Sequence, residues 1–170
     1  YEKGVISYCT LDKDLTMSEP KIILDRPYHL SFPCVFQDGD SIYMIPETHS
    51  TKSIELYEAV DFPYKWEFKR NILKGPPSSD IVIHKHNGVW FLLCTVHAGR
   101  LTKGGVEEKT TVDDGVLILY TDNILGEWGF HPKCKDFPLF IPGSRLAGNI
   151  FEYNGKLIKP VQKRDPLTSQ

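Results

Sequence analysis

The 170-residue sequence has little of what marks a helical, membrane-spanning or metal-clustered protein. No window repeats apolar residues at i, i+3, i+4 and i+7, so amphipathic helices are not expected. No apolar run approaches the ~18 residues a membrane helix needs, and no leader-like segment stands at the amino end. The four cysteines, Cys9, Cys34, Cys94 and Cys134, lie far apart and form no C-x-x-C pair. That argues against a zinc ribbon or a thioredoxin-type motif. There is no Asn-x-Ser/Thr sequon, so nothing in the residues fixes a compartment. A net charge of −2 argues against a general nucleic-acid or membrane-surface binder, which shows a basic patch. The Lys103–Gly105 run lacks the following helix of a phosphate-cradling loop, and no Gly-x-Ser-x-Gly nucleophile elbow occurs.

What the sequence does have is strands. Short apolar runs alternate with Gly, Pro, Asn and Asp, the pattern of an all-β chain. The runs also repeat. "FPCVFQDGDSIYMIPE" (Phe32–Glu47), "DIVIHKHNGVWFLLCT" (Asp80–Thr95) and "AGNIFEYNGKLIKPVQ" (Ala147–Gln162) each read as strand, Asp/Asn-Gly turn, strand. Gly accepts positive φ freely, so Asp-Gly and Asn-Gly favour tight hairpins. "SIELYEAVDFPYKWEF" and "GVLILYTDNILGEWGF" then match as third and fourth strands. Four antiparallel strands with a period of roughly 50 residues are the size of a propeller blade.

Strand chemistry supports blades. Phe32–Phe36, Ile42–Ile45 and Val89–Cys94 are apolar on both faces, which means burial on both sides. Cys34 and Cys94, lying in such runs, read as buried inert thiols. Ser53–Glu58 mixes Ile54 and Leu56 with Glu55 and Glu58, and Lys65–Arg70 alternates Trp66 and Phe68 with charge. The gradient fits strands ordered outward from an axis, the last a charged edge. The chain divides into the outer strands of one blade (1–26), a full blade (27–74), a second full blade (75–140) with a polar insertion at 98–114, and the inner strands of another (141–170). The insertion reads as a surface loop or a lid. A closed propeller needs at least four blades, so the expectation is an incomplete set.

In a blade the first strand leaves one face and the second returns to it. First-strand starts and second-strand ends of every blade therefore surround one mouth. The starts offer His29 and Ser31, Ser79 and Asp80, Arg145 and Asn149. The ends offer Glu47 and Thr48, Thr95 and His97, Gln162, Arg164 and Asp165. Two carboxylates across a cleft suit acid–base glycoside chemistry, so Glu47 and Asp80 are the candidate catalytic pair. His29, Ser31, His97, Arg145, Asn149 and Gln162 are candidates for binding sugar hydroxyls. Aromatics supply stacking faces, and Tyr28, Tyr43 and Trp90 lie nearby in sequence, with the direction of their rings left open. The bland alternatives stay open. Asp80, after Pro-Pro-Ser-Ser, could bond its own loop. Glu47 could be structural, Arg145 a plain ion-pair partner, and His97 incidental. His84 and His86 share a strand face without a third ligand, so no metal site is expected.

Several of these stretches resemble a known family: "HLSFPCVFQDGDSIYMIPE", "IELYEAVDFPYKWEF", "SSDIVIHKHNGVWFLL" and "SRLAGNIFEYNGKLIKPVQ" look like the amino-terminal domain of glucosamine inositolphosphorylceramide transferases. Related domains occur in some bacterial formyltransferase-like proteins. The likeness runs from about His29 to Gln162, and Ile-Pro-Glu followed by Glu-Leu-Tyr and Phe-Pro-x-x-Trp is its most specific part. The domain is similar to the five-bladed propellers of glycoside hydrolase families 43 and 32. The resemblance implies a five-bladed propeller acting on or beside glycans, without an obligatory cofactor. The expected partner is a glycan or glycolipid, not nucleic acid, with no membrane insertion in this segment. Remaining blades or a transferase domain would come from sequence outside this segment. A secretory or Golgi setting rests on the resemblance alone. Asp80 matches a position where the hydrolase relatives place an acid. The equivalent position one repeat earlier is Phe32, flanked by Ser31, where those relatives place Asp. The alternative to a hydrolase-like enzyme is a non-catalytic glycan-binding or scaffolding module.

Overall fold

The computed structural model describes residues 3–75, 77–96, 115–134 and 145–162. The expected insertion at 98–114, and with it His97, Arg164 and Asp165, lie outside them. The described chain is all β apart from two 3-10 turns, His49–Thr51 and Pro132–Cys134. Among the described residues no helix is long and apolar enough to cross a membrane.

Strands β1 (Ile6–Tyr8) and β2 (Lys21–Leu24) form an antiparallel pair. Next comes a four-stranded antiparallel sheet in sequence order: β3 (Ser31–Asp38), β4 (Ser41–Glu47), β5 (Ser53–Asp61) and β6 (Lys65–Lys74). A second meander follows: β7 (Ser78–His86), β8 (Val89–Val96), β9 (Gly115–Thr121) and the two-residue β10 (Gly129–Phe130). Strands β11 (Phe151–Tyr153) and β12 (Lys156–Ile158) close the described chain as a hairpin. Asn87 and Gly88 both adopt positive φ (49° and 80°), as do Asn154 and Gly155 (51° and 70°). That is the backbone sense of a type I′ turn, whose twist matches the flanking strands. The first hairpin differs from the Asp-Gly turn expected from sequence. Asp38 pairs with Ser41, so the loop is Gly39–Asp40, with positive φ at Gly39 (59°).

The doubly apolar strands β4 and β8 are buried on both faces, but β3 is not: of Phe32–Phe36 only Cys34 is buried, and Phe32, Pro33 and Val35 are exposed, because β3 is the terminal strand of its sheet. Along β4, Tyr43 and Ile45 join a core shared with Ile81, Ile83, Trp90 and Leu92 of the second meander. Met44 joins a core on the opposite face with Ile6, Leu24 and Trp66. Burying a side chain as fully as Met44 and Ile45 (both 0% exposed) stabilises by about 1.5–3 kcal/mol. Val82, Leu93 and Val116, on the far face of the second meander, pack on Leu146, with Ile150 against that cluster. Each four-stranded sheet is thus sandwiched between neighbours. Along β6, Lys65, Glu67, Phe68 and Lys69 remain exposed, and charge on this outer edge discourages further pairing.

The inner strands converge. Glu47, at the end of β4, touches Asp80 near the start of β7. Near the other end of β7, Lys85 pairs at 2.7 Å with Asp38, the last residue of β3. β3 and β7 therefore run side by side in the same direction. The Cys34 thiol, on β3, donates to Asn149 Oδ1 at 3.4 Å. It thus reaches the third repeat, although the whole second meander intervenes in sequence. Such a contact requires first strands gathered around a common centre.

Candidate functional site

The site begins with a backbone irregularity that occurs twice. Ser31 pairs with Glu47, but the register slips before Cys34. Ser79 pairs with Thr95, and the register slips before Val82. Each slip contains one non-glycine residue at left-handed φ, Phe32 at 42° and Asp80 at 52°. Such bulges bend a strand and re-aim a side chain. Asp tolerates this conformation comparatively well because its short polar side chain bonds locally.

The bulge turns Asp80 inward, where it is 7% exposed. Its N–H donates to Glu47 Oε2 at 3.0 Å. Its carboxylate is clamped by Arg145, whose Nε donates to Oδ2 at 2.7 Å and Nη2 to Oδ1 at 3.2 Å. A bidentate guanidinium–carboxylate pair fixes both groups in one plane. Arg145 itself is set by backbone pairing: Gln162 N–H donates to its carbonyl at 2.9 Å. The Gln162 side-chain amide donates to Leu146 O at 3.4 Å. Asp80 is thus the link of the three: its amide meets the Glu47 carboxylate and its carboxylate meets the Arg145 guanidinium, which comes from the segment before the third hairpin.

The other residues singled out from sequence are held by separate contacts or lie elsewhere. Ser31 is the cross-strand partner of Glu47. Asn149 is tied to Cys34, and Thr95 is fully buried. His29 has its Nδ1 engaged by the Gly4 N–H at 3.0 Å. His97 lies outside the described residues. His84 and His86 stack at 6.4 Å. Among the described residues no group of three or more His, Cys, Asp or Glu is placed to hold a metal.

The aromatics suggested by sequence are occupied. Tyr43 is 4% exposed and Trp90 5%, both packed on Phe36. Tyr28 donates to Glu55 at 2.7 Å. Glu55 departs from the sequence reading of the third strand as a semi-polar one: it is 6% exposed. It accepts from Tyr57 at 2.6 Å and from Ser53 at 3.3 Å. Arg26 Nε donates to the Tyr57 hydroxyl at 3.1 Å. Glu55-x-Tyr57, two residues apart and so on one strand face, was the available signal. Burial pushes the Tyr28 phenol well above its ordinary range, and the Tyr57 and Glu55 side chains add to the effect. Burial raises the Tyr57 phenol as well, with Glu55 again contributing.

The chain is 33% identical over 154 residues to glucosamine inositolphosphorylceramide transferase 1 of Arabidopsis thaliana, covering 88% of this chain and 19% of that protein. It is 32% identical over 157 residues to the protein of the same name from Oryza sativa subsp. indica, covering 90% and 20%. The chain therefore spans about a fifth of the length of these relatives. Among solved structures, the GH43 BlXynB protein of Bacillus licheniformis matches with a TM-score of 0.53 at 14% identity, covering 78% of this chain and 27% of that one. The Bacteroides ovatus xyloglucan PUL GH43B protein matches at 0.52 and 16%, covering 77% and 25%. At such identities the likeness concerns the fold, and it is to the propeller enzymes of glycoside hydrolase family 43. The model of the glucosamine inositolphosphorylceramide transferase 1 N-terminal family matches residues 3–168, and the chain belongs to that family.

Proposed function

We propose that this chain is the glycan-recognition part of a five-bladed propeller attached to a glycosyltransferase. In this reading Glu47, Arg145 and Asp80 hold sugar hydroxyls at the propeller mouth, and the pair does not itself cleave glycosidic bonds. The observation that carries the reading is the state of the second carboxylate. Both Asp80 oxygens accept from Arg145, and the repeat-equivalent bulge position in the first meander holds Phe32. Acid–base hydrolysis needs two carboxyl groups free to exchange a proton and to meet the sugar from two sides. A clamp by a permanently charged guanidinium suits a fixed binding surface better. The names of the relatives, transferases acting on an inositolphosphorylceramide, support a glycolipid or its sugar headgroup as the ligand class. Ser31, Asn149 and Gln162 hold the surrounding backbone and side chains, His29 borders the first strand, and His97 follows the second strand of the next repeat.

A second reading, acid–base catalysis by Glu47 and Asp80, is favoured by the meeting of two carboxylates at one mouth of a GH43-like fold. One experiment separates the two. The full-length protein, Glu47→Gln and Asp80→Asn are tested for binding to a glycan array and for release of reporter pyranosides and furanosides. The recognition reading expects binding that Glu47→Gln weakens about tenfold, the scale of losing one charged hydrogen bond, with no sugar release. Turnover by the parent protein, lost in both variants, would establish the hydrolase reading. Neither binding nor turnover would remove both.

A further inference from the structure

Phe32 is an aromatic side chain at the mouth that no buried core claims. It belongs to none of the three buried clusters and is 41% exposed, whereas Phe36 on the same strand packs into a core. Its φ of 42° is unfavourable for a bulky residue with a Cβ. The kink itself belongs to the repeat, because Asp80 adopts it too. Asp, Asn or Gly at position 32 would satisfy the backbone with less strain, so the kink does not explain the phenyl ring.

The position gives the ring a use. Phe32 follows Ser31, the partner of Glu47, and Glu47 reaches the Asp80 amide. β3 is the terminal strand of its sheet and lies toward the common centre. Phe32 occupies the bulge position that Asp80 holds one repeat later, and a bulge re-aims the side chain away from the alternation of its neighbours. A sugar ring presents an apolar C–H face bordered by hydroxyls, and it needs one aromatic plane beside polar groups. Tyr28, Tyr43 and Trp90 are committed to other contacts.

We infer that Phe32 is the stacking platform of the glycan site, its ring lying under the C–H face of a sugar whose hydroxyls turn to Glu47 and Arg145. This rests on the glycan-recognition reading above. It differs from that reading in assigning the apolar half of recognition to the residue that replaces an acid.

The test uses the full-length protein with methyl β-D-galactopyranoside, methyl β-D-xylopyranoside and D-glucosamine, followed by saturation-transfer NMR titration. Phe32→Ala is expected to weaken binding about tenfold or more, the scale of losing an aromatic anchor. Phe32→Trp should retain binding within about threefold, because the stacking face is kept. Phe32→Asn should melt no lower than the parent, having relieved the strain, yet bind as poorly as Phe32→Ala. If Phe32→Ala and Phe32→Asn bind like the parent while Glu47→Gln binds worse, the platform is refuted and the glycan reading survives. If the parent binds none of the three probes, or binds them regardless of substitutions at both positions 32 and 47, both fall.

Discussion

Asp80 and Glu55 are buried to almost the same degree, 7% and 6% exposed, and they are neutralised by opposite means. Asp80 faces a guanidinium delivered from 65 residues downstream. Glu55 faces hydroxyls from Tyr28, Tyr57 and Ser53, with Arg26 one step removed. The phenols come from both sides of one contact: Tyr57 lies on β5, and Tyr28 lies in the segment linking β2 to β3. Glu55 is therefore a rivet between neighbouring sheets. At Asp80 the cation keeps 34% side-chain exposure, so a charged, directional surface remains open to solvent. Depth of burial does not separate a site from a joint; the partner and its access to water do.

The largest expected effect comes from removing the cation. Arg145→Met strands the Asp80 charge. Breaking a fully buried pair costs roughly 3–5 kcal/mol. Because Arg145 is a third exposed, a loss of about 2 kcal/mol is expected in chemical denaturation. Adding Asp80→Asn should restore part of it, and a double-mutant cycle with no coupling would break the contrast between the two carboxylates.

Next in size is Tyr28→Phe, which removes one charged hydrogen bond from Glu55. A loss of about 1.5 kcal/mol is expected, with glycan binding unchanged. A variant that loses affinity as well as stability would mean that the rivet and the mouth are one unit.

The two regions should also part at alkaline pH. The Tyr28 phenol is raised by burial, so above pH ~10 the unfolded chain gives up a proton that the native chain keeps. The unfolded state then binds fewer protons, and stability falls as pH rises through that range. Below pH ~10 this contribution is fully present. Denaturation midpoints followed from pH ~8 to ~11 should fall less steeply in Tyr28→Phe than in the parent. Identical slopes would contradict the assignment.

The smallest effect is a labelling difference. Cys9 is exposed, and Cys34, Cys94 and Cys134 are buried thiols. Burial pushes the Cys94 thiol up to about 12, so it holds little thiolate near neutrality. A thiol reagent should modify Cys9 first. Arg145→Met should speed modification of Cys34, which meets Asn149 in the same repeat as Arg145, and Tyr28→Phe should not. Equal rates in the two variants would erase the distinction.

How much of this was written in the sequence depends on the range of the interaction. The hairpins were legible because Asn-Gly turns and doubly apolar strands are local signals, as at Asn87–Gly88 and along Ser41–Glu47. Strand direction also placed Glu47 and Asp80 at one end. That Glu47 meets the Asp80 amide rather than facing its carboxylate across a gap was not legible, because it depends on a bulge that no periodicity reports. The burial of Glu55 was hidden for a related reason. An acid on a third strand looks solvated until Tyr28 arrives from the adjoining segment. The direction of the aromatics was not legible, because sequence proximity to the mouth says nothing about which face of a strand a ring takes. Tyr43 and Trp90 face the core, and the kink at Phe32 breaks the alternation used to orient its neighbours.

The recurrent kink also separates what the scaffold needs from what the chemistry can vary. Counting back seven positions from the first residue of the turns at Gly39–Asp40 and Asn87–Gly88 gives its two places, Phe32 and Asp80: an aromatic plane and an anion. Neither side chain takes part in strand pairing, but that of Asp80 is tied to Arg145. At position 32, where no such pair forms, a lineage could exchange the side chain presented at the hub and leave the framework intact.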